Sequence, residues 1–343
     1  MTSSVMKRKN AQRGRGRTPS DVGAHKTSRR RIALTGARSF LGHGLLHLLR
    51  KDRRYSKIIL LDVARPEERS RKCAFYAVDL TQPGIDQTIT DILAAEGVDT
   101  VAHLAFPSAP RRDERVTHEL MVIGTLNILK ACARASIRKL VVRSTTLVYG
   151  ADYRNPSLLD EDHPLNGARA DGFIRDQVEV ERMVKKFARN HPHTTVTALR
   201  FCPILSHHHT DFITRFLKRS TIVTPFGYDP LIQFIHPDDA LNALKKALDE
   251  DHPGVFNIVG RGVLYLSTIL WLSKKRAVPL FSSLASPLAD ALWYLNAWEA
   301  PGAHLDFLRY SCVANGEKAE RVMGFSPRYS TKETLLVYLN DEI

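Results

Sequence analysis

From residue 30 onward the chain alternates short apolar runs with longer stretches whose apolar side chains recur every three or four positions. RRIALTG (30–36), KIILLD (57–62), AFYAVDL (74–80), DTVAHLA (99–105), KLVVRSTTLVYG (139–150) and TTVTALRFCPIL (194–205) are compact and β-rich, which predicts six strands. FLGHGLLHLLRKD (40–52), ERVTHELMVIGTLNILKACARA (114–135) and FIRDQVEVERMVKKFARN (173–190) carry helical spacing. Near-continuous apolar strands separated by helices imply an α/β fold, a doubly wound parallel sheet covered on both faces. Beyond residue 206 the alternation becomes irregular and richer in Pro and His. A smaller C-terminal lobe, 206–343, is therefore expected over the carboxyl edge of the sheet, with returns to it; open α/β sheets bind their ligands at that edge. The sheet domain itself spans 30–205.

Composition changes this picture in one place. The 343 residues carry a net charge of +14. Ten Lys/Arg and a single acid, Asp21, fall in residues 1–31, a net of +9, which leaves only +5 for the rest. The basicity belongs to a tail, and residues 1–29 have too few apolar side chains to fold alone, so a disordered tail is expected. It can touch anionic lipid or nucleic acid by charge. The four cysteines are far apart with no CxxC pair, which argues against a disulfide framework and fits a reducing, cytoplasmic setting. No stretch reads as a membrane span. The nearest, VPLFSSLASPLADALWYLNAW (278–298), is broken by Pro279, Pro287, Asp290 and Asn296. It reads as a core helix, a hydrophobic cover over a pocket, or a surface that meets lipid.

The first strand runs into IALTGARSFLG, with Gly36 and Gly42 around the turn and Arg38, Ser39, Phe40 and Leu41 between them. Glycine suits a sharp bend or close approach to a pyrophosphate, and the following helix start offers free N–H groups to that anion. Asp62 ends the second strand twenty residues past Gly42, where a carboxylate can accept from an adenosine ribose. That acid favours NAD, while Arg65 leaves room for NADP. Asp79 and Leu80 end the third strand, placed to meet an adenine ring. The sheet is thus expected to be Rossmann-like and the domain dinucleotide-binding. An ordinary turn or cap role for Asp62 is the plainer alternative.

These segments resemble the extended short-chain dehydrogenase/reductases, in particular the NAD-dependent epimerase/dehydratase family that works on nucleotide sugars. TGARSFLG looks like its glycine turn, HLAF (103–106) its fourth-strand motif and GTLNIL (124–129) the helix after it. RSTTLVYG (143–150) resembles the strand bearing the active-site Ser/Thr, here Thr145, and EDHPLN (161–166) the loop that follows. LRFCPIL (199–205), FIHPDDALNALKKAL (234–248) and GEKAERVMGFSPRYSTKETL (316–335) look like later motifs. The resemblance covers roughly 30–343. It implies a cofactor lined also by Leu104, Ala105, Ser144, Phe201 and Pro203. It further implies a nucleotide-sugar-like ligand and a homodimer through the two long helices.

The departures are specific. The family's tyrosine and the lysine four residues later map onto Phe173 and Gln177, and Met121 stands where the family often has asparagine. A tyrosine of pKa about 10 becomes a useful base when a cation on the same helix face favours its ionised form. Phe173 has no oxygen and Gln177 no charge, although its amide can still bond ribose hydroxyls. Binding should therefore outlast proton transfer. Tyr149 and Tyr153 offer displaced hydroxyls, and Thr145 either binds a substrate oxygen or sits in the ladder. Arg143 and Arg200 can hold a phosphate or carboxylate, or form structural ion pairs. SHHHTD (206–211) lacks metal-ligand spacing, so no metal is expected. Asp238 and Asp239 are expected to cap the following helix. Three functions compete: an NAD(H)-binding protein with impaired chemistry, an active oxidoreductase or epimerase on a nucleotide sugar or sterol-like alcohol using another acid, and an interaction protein anchored by its tail.

Overall fold

The computed structural model describes residues 30–67, 70–169, 171–209, 211–295, 297–298 and 300–340, so the basic tail lies outside the described residues. In chain order the first half runs β1 (Arg30–Thr35), α1 (Phe40–Lys51), β2 (Tyr55–Asp62), β3 (Cys73–Ala77), α2 (Ile85–Ala95), β4 (Thr100–His103), α3 (Glu114–His118), α4 (Gly124–Arg134), β5 (Lys139–Thr145), α5 (Gly172–Asn190) and β6 (Thr195–Phe201). The second half continues through α6 (Phe212–Lys218), β7 (Thr221–Pro225), β8 (Leu231–Ile232), α7 (Pro237–Asp249), β9 (Gly254–Ile258), β10 (Leu264–Tyr265), α8 (Leu266–Leu272), β11 (Arg276–Leu280), α9 (Ser282–Tyr294), α10 (Glu317–Met323) and α11 (Thr331–Asn340).

Seven of these strands form one sheet in the order β3–β2–β1–β4–β5–β6–β9, every neighbour pair parallel. Period-two alternation sorts β1 between two cores. Ile32 and Leu34 join Leu41, Leu45 and Leu49 of α1 and Ala243 and Leu244 of α7. Ala33 faces the other layer, with Ile89 and Leu93 of α2, Ile128 of α4 and Val180 and Val184 of α5. The sheet is Rossmann-like, covered by helices on both faces. Residues 237–258 return to it as α7 and β9, while a third core gathers Phe212, Phe216, Ile222, Leu266 and Ile269 into the smaller lobe.

Four local features differ from, or add to, what the sequence pattern suggests. Helix α2 was not anticipated; its Thr- and Asp-rich sequence dilutes the apolar stripe of Ile85, Ile89 and Leu93. The long helix over 114–135 is continuous, but Glu119–Ile123 form a π-turn between α3 and α4. Asp238 and Asp239 do not cap α7: His236 is the cap and accepts from the Asp238 N–H at 3.2 Å. The two acids lie in the first turn, where the helix dipole favours them, and Asp239 accepts from the Tyr329 N–H at 3.0 Å. Lys139 is a buried lysine that closes the other end of α7. Its Nζ donates to the carbonyls of Leu248 (3.1 Å) and Glu250 (2.7 Å) and pairs with Asp251 at 2.7 Å.

The stretch 278–298 divides into an edge strand and a helix. β11 pairs with β7 in the smaller lobe, and α9 turns Ala285, Ala289 and Trp293 to the core. Among the described residues no helix is long and apolar enough to cross a membrane.

Candidate functional site

The turn after β1 is built by contacts that leave no room for side chains. Gly36 has φ +68°, and a Cβ there would lie 2.7 Å from the backbone of Leu104 and Ala105. A Cβ on Gly42 would lie 2.0 Å from the Gly36 carbonyl oxygen. The turn therefore rests on the loop after β4, which is where Leu104 and Ala105 act. Ser39 caps α1: its Oγ accepts from the Gly42 N–H at 3.0 Å. Asp62 braces the same turn, accepting from the Arg38 N–H at 3.2 Å and the Val63 N–H at 2.8 Å. The carboxylate thus stands beside the glycine turn. Asp79 accepts from the N–H and hydroxyl of Thr81, and buried Leu80 packs under Gly124.

Beneath the turn runs a buried chain of hydrogen bonds. Thr35 Oγ1 accepts from the Leu104 N–H and lies 2.7 Å from His103 Nδ1; His103 Nε2 lies 3.1 Å from Thr125 Oγ1, which donates to the Met121 carbonyl at 2.5 Å. With Thr125 donating onward, His103 Nε2 is the donor and Nδ1 the acceptor, so the ring is neutral. Burial lowers the His103 pKa to about 3.

At the carboxyl ends of β5 and β6 a cavity brings together six of the residues singled out in the sequence: Ser144, Thr145, Phe173, Gln177, Phe201 and Pro203. Phe173 and Gln177 project from successive turns of α5 and are almost fully buried. Thr145 Oγ1 accepts from the Leu147 N–H at 3.3 Å. The Ser144 hydroxyl is turned to Glu181 instead.

Tyr149 is a correction. Its ring is buried in the core, its hydroxyl donates to Asn257 Oδ1 at 2.7 Å and accepts from Arg200 Nη1 at 2.8 Å, and burial pushes its pKa up to about 12. It is no cavity residue and cannot serve as the displaced acid. Tyr153 is exposed and lies against Tyr310. The two arginines separate as well. Arg200 is a structural ion pair, with Nε 2.9 Å from Glu181 Oε1 and Nη2 2.5 Å from Oε2. Arg143 lines the cavity; it donates weakly to the carbonyls of Phe106 (3.5 Å) and Pro107 (3.3 Å), and burial lowers its pKa to about 10.

The residue that sequence reasoning passed over is His209. It lines the same cavity, is 4 % exposed, and packs tilted against Phe40 of the glycine turn with centroids 5.0 Å apart. Its Nδ1 has no hydrogen-bond partner, and Nε2 is 3.8 Å from Asp211 Oδ2, beyond bonding distance. Burial lowers its pKa, which favours the neutral ring. Its neighbour His207 faces elsewhere, stacked on Tyr338. Among the described residues no group of three His, Cys, Asp or Glu could hold a metal ion. The signal for His209 was present in SHHHTD, but three consecutive histidines do not reveal which one the backbone turns inward.

The sequence model of the NAD dependent epimerase/dehydratase family matches residues 32–259. An uncharacterized protein of Mycobacterium tuberculosis is 29% identical over 310 residues, 88% of this chain and 81% of its own. UDP-glucose 4-epimerase of Yersinia enterocolitica is 28% identical over 192 residues, 51% and 54% of the two chains. Among solved structures, UDP-glucuronic acid 4-epimerase from Bacillus cereus in complex with UDP-glucuronic acid and NAD superposes with a TM-score of 0.69 at 18% identity, covering 91% of this chain and 100% of that one. A variant of the same enzyme with one tyrosine changed to phenylalanine, in complex with NAD and a fluorinated UDP-glucuronic acid, gives 0.68 at 19% identity with the same coverage.

Proposed function

The chain belongs to the NAD dependent epimerase/dehydratase family, and from that premise we propose that it is an NAD(H)-binding protein whose Tyr/Lys-type oxidoreductase step is impaired or absent, working as a sensor or a specialised catalyst. The observation that carries this is the pairing of an intact glycine turn with Phe173 and Gln177 in the adjoining cavity. The residues fit the cofactor: Gly36 and Gly42 keep the turn tight, the start of α1 would offer its positive dipole to a pyrophosphate, and the Asp62 carboxylate beside the turn would accept from ribose hydroxyls. When bound, NAD supplies a hydride acceptor. Phe173 gives the cavity an apolar ring that moves no proton, and Gln177 offers only an amide. That the Bacillus cereus variant holds NAD with phenylalanine in place of one tyrosine supports binding without that hydroxyl.

Isothermal titration with NAD and NADH tests this reading. Both should bind, and Asp62→Ala should weaken binding roughly tenfold or more, the worth of one or two charge-assisted hydrogen bonds. No heat from either nucleotide removes the reading.

His209 favours a second reading. A buried imidazole in the same cavity, with no partner at Nδ1, can accept the proton that Phe173 cannot, making the protein an active NAD-dependent oxidoreductase or epimerase on a nucleotide sugar. NAD reduction by UDP-glucose or UDP-glucuronic acid that disappears in His209→Asn would establish it. Silence with bound cofactor leaves the first reading in place.

A further inference from the structure

A surface helix normally turns polar side chains to water. α9 does not. On its outer side Leu284 (60 % exposed), Leu288 and Leu295 (74 % exposed) share one stripe, bordered by Pro287, Ala291 and Tyr294, with no charge among them. Its one acid, Asp290, is turned inward and accepts from the Gly302 N–H at 2.7 Å. The stripe extends off the helix: Phe281 opens it, and the exposed Phe226 ring packs on Phe281 with centroids 5.0 Å apart. A connected apolar face of this kind on a folded domain is an interaction surface.

Charge around the face identifies the partner. Exposed basic side chains belong to the same lobe: Lys274 and Arg276 stand at the start of β11, whose other end leads through Phe281 into α9, and the Ser220 carbonyl accepts from the Arg276 N–H at 3.2 Å. Behind the helix, Trp293 forms a wall of a cleft of about 400 Å³ lined by Arg111, Arg112, Arg215 and Arg219, with Trp298 at the opposite side. Arg112 lies 4.6 Å from the Trp293 ring centroid and donates to the Trp293 carbonyl, tying the cleft to the helix. Guanidinium groups in such a cleft suit a phosphate. We infer that the outer face of α9 is a docking surface for an anionic phospholipid membrane. The helix would lie in the interface with its leucines among acyl chains and the arginine cleft at headgroup level.

The full chain should be sedimented with phosphatidylcholine vesicles and with vesicles also containing phosphatidylglycerol. The comparison protein is Leu284→Asp with Leu288→Asp, two exposed sites that keep the basic tail unchanged. The native protein should bind the mixed vesicles and the variant about tenfold less. Trp293 and Trp298 line the arginine cleft, so intrinsic fluorescence of the native protein should change on binding, a readout that needs no variant. Equal sedimentation of both proteins would mean that the tail alone binds and would overturn the inference. So would binding that ignores phosphatidylglycerol. Light scattering that shows a native dimer broken by the two aspartates, with no vesicle binding, would reassign the face to a second copy of the chain.

Discussion

Phe173 and Gln177 show how two side chains can separate binding from chemistry. Both occupy a cavity shared with Thr145, Arg143 and His209, and neither can itself give up or take up a proton there. A general acid/base is commonly worth about 10²–10⁴ in rate. Phe173→Tyr combined with Gln177→Lys should therefore create or raise NAD reduction in the presence of UDP-glucuronic acid by at least about 10², read as absorbance of the reduced nucleotide. A double variant that binds NAD and remains silent would mean that more than this pair has been lost. Phe173 and Gln177 were legible through the family resemblance, and their spacing of four puts them on one helix face. The outcome for Tyr149 was not: its hydroxyl could point into the cavity or into the core, and only its bonds to Asn257 and Arg200 decide.

At the scale of elements, one buried network fixes α5 against the sheet. Glu181 on α5 holds Arg200 on β6 and receives the Ser144 hydroxyl from β5. Arg200 passes to Tyr149, and Tyr149 to Asn257 on β9. Four elements are joined without a water-exposed link, and α5 is the helix that carries Phe173 and Gln177. Glu181→Ala would leave the guanidinium buried and unpaired, which costs about 3–5 kcal/mol. Guanidinium denaturation should show that loss, and Glu181→Gln should recover part of it. A midpoint unchanged in Glu181→Ala would mean that α5 is held by its apolar face alone. The helices and strands here were visible as periodicity, while this network was not, since its members are as far apart in sequence as Ser144 and Asn257. Helix α9 illustrates the same boundary from the other side. Its apolar content was plain, but which residues faced outward depended on what packed beneath Ala285, Ala289 and Trp293.

Over the whole molecule, acid stability follows from His103. The ordinary histidine pKa is 6.5 and the folded value is about 3. Between those values the unfolded chain binds a proton that the native chain refuses, so stability rises with pH across the window and is lost as pH falls from 6.5 toward 3. The slope from this one group is about 1.4 kcal/mol per pH unit. Denaturation free energies at pH 7 and pH 5 should differ more in the native protein than in His103→Gln, by about 2 kcal/mol. An equal pH response in both would mean that the ring is protonated in the folded state. Because Thr35 links His103 to Gly36, acid should loosen the nucleotide turn before the sheet as a whole.

Sequence by itself determined the α/β class, the order of the strands through β6 with every helix between them except α2, the glycine turn with its following acid, and which side chains occupy the two positions where the resembled family has tyrosine and lysine. These depend on periodicity, on glycine's backbone freedom and on side-chain identity, all of which are local. Tertiary structure alone decided that β9 completes the sheet, that Arg200 is structural while Arg143 faces the cavity, that His209 rather than Tyr149 stands by the missing pair, and that α9 turns an uncharged face outward. Each of these depends on which groups from distant segments exclude water together, and burial of that kind has no signature in spacing along the chain.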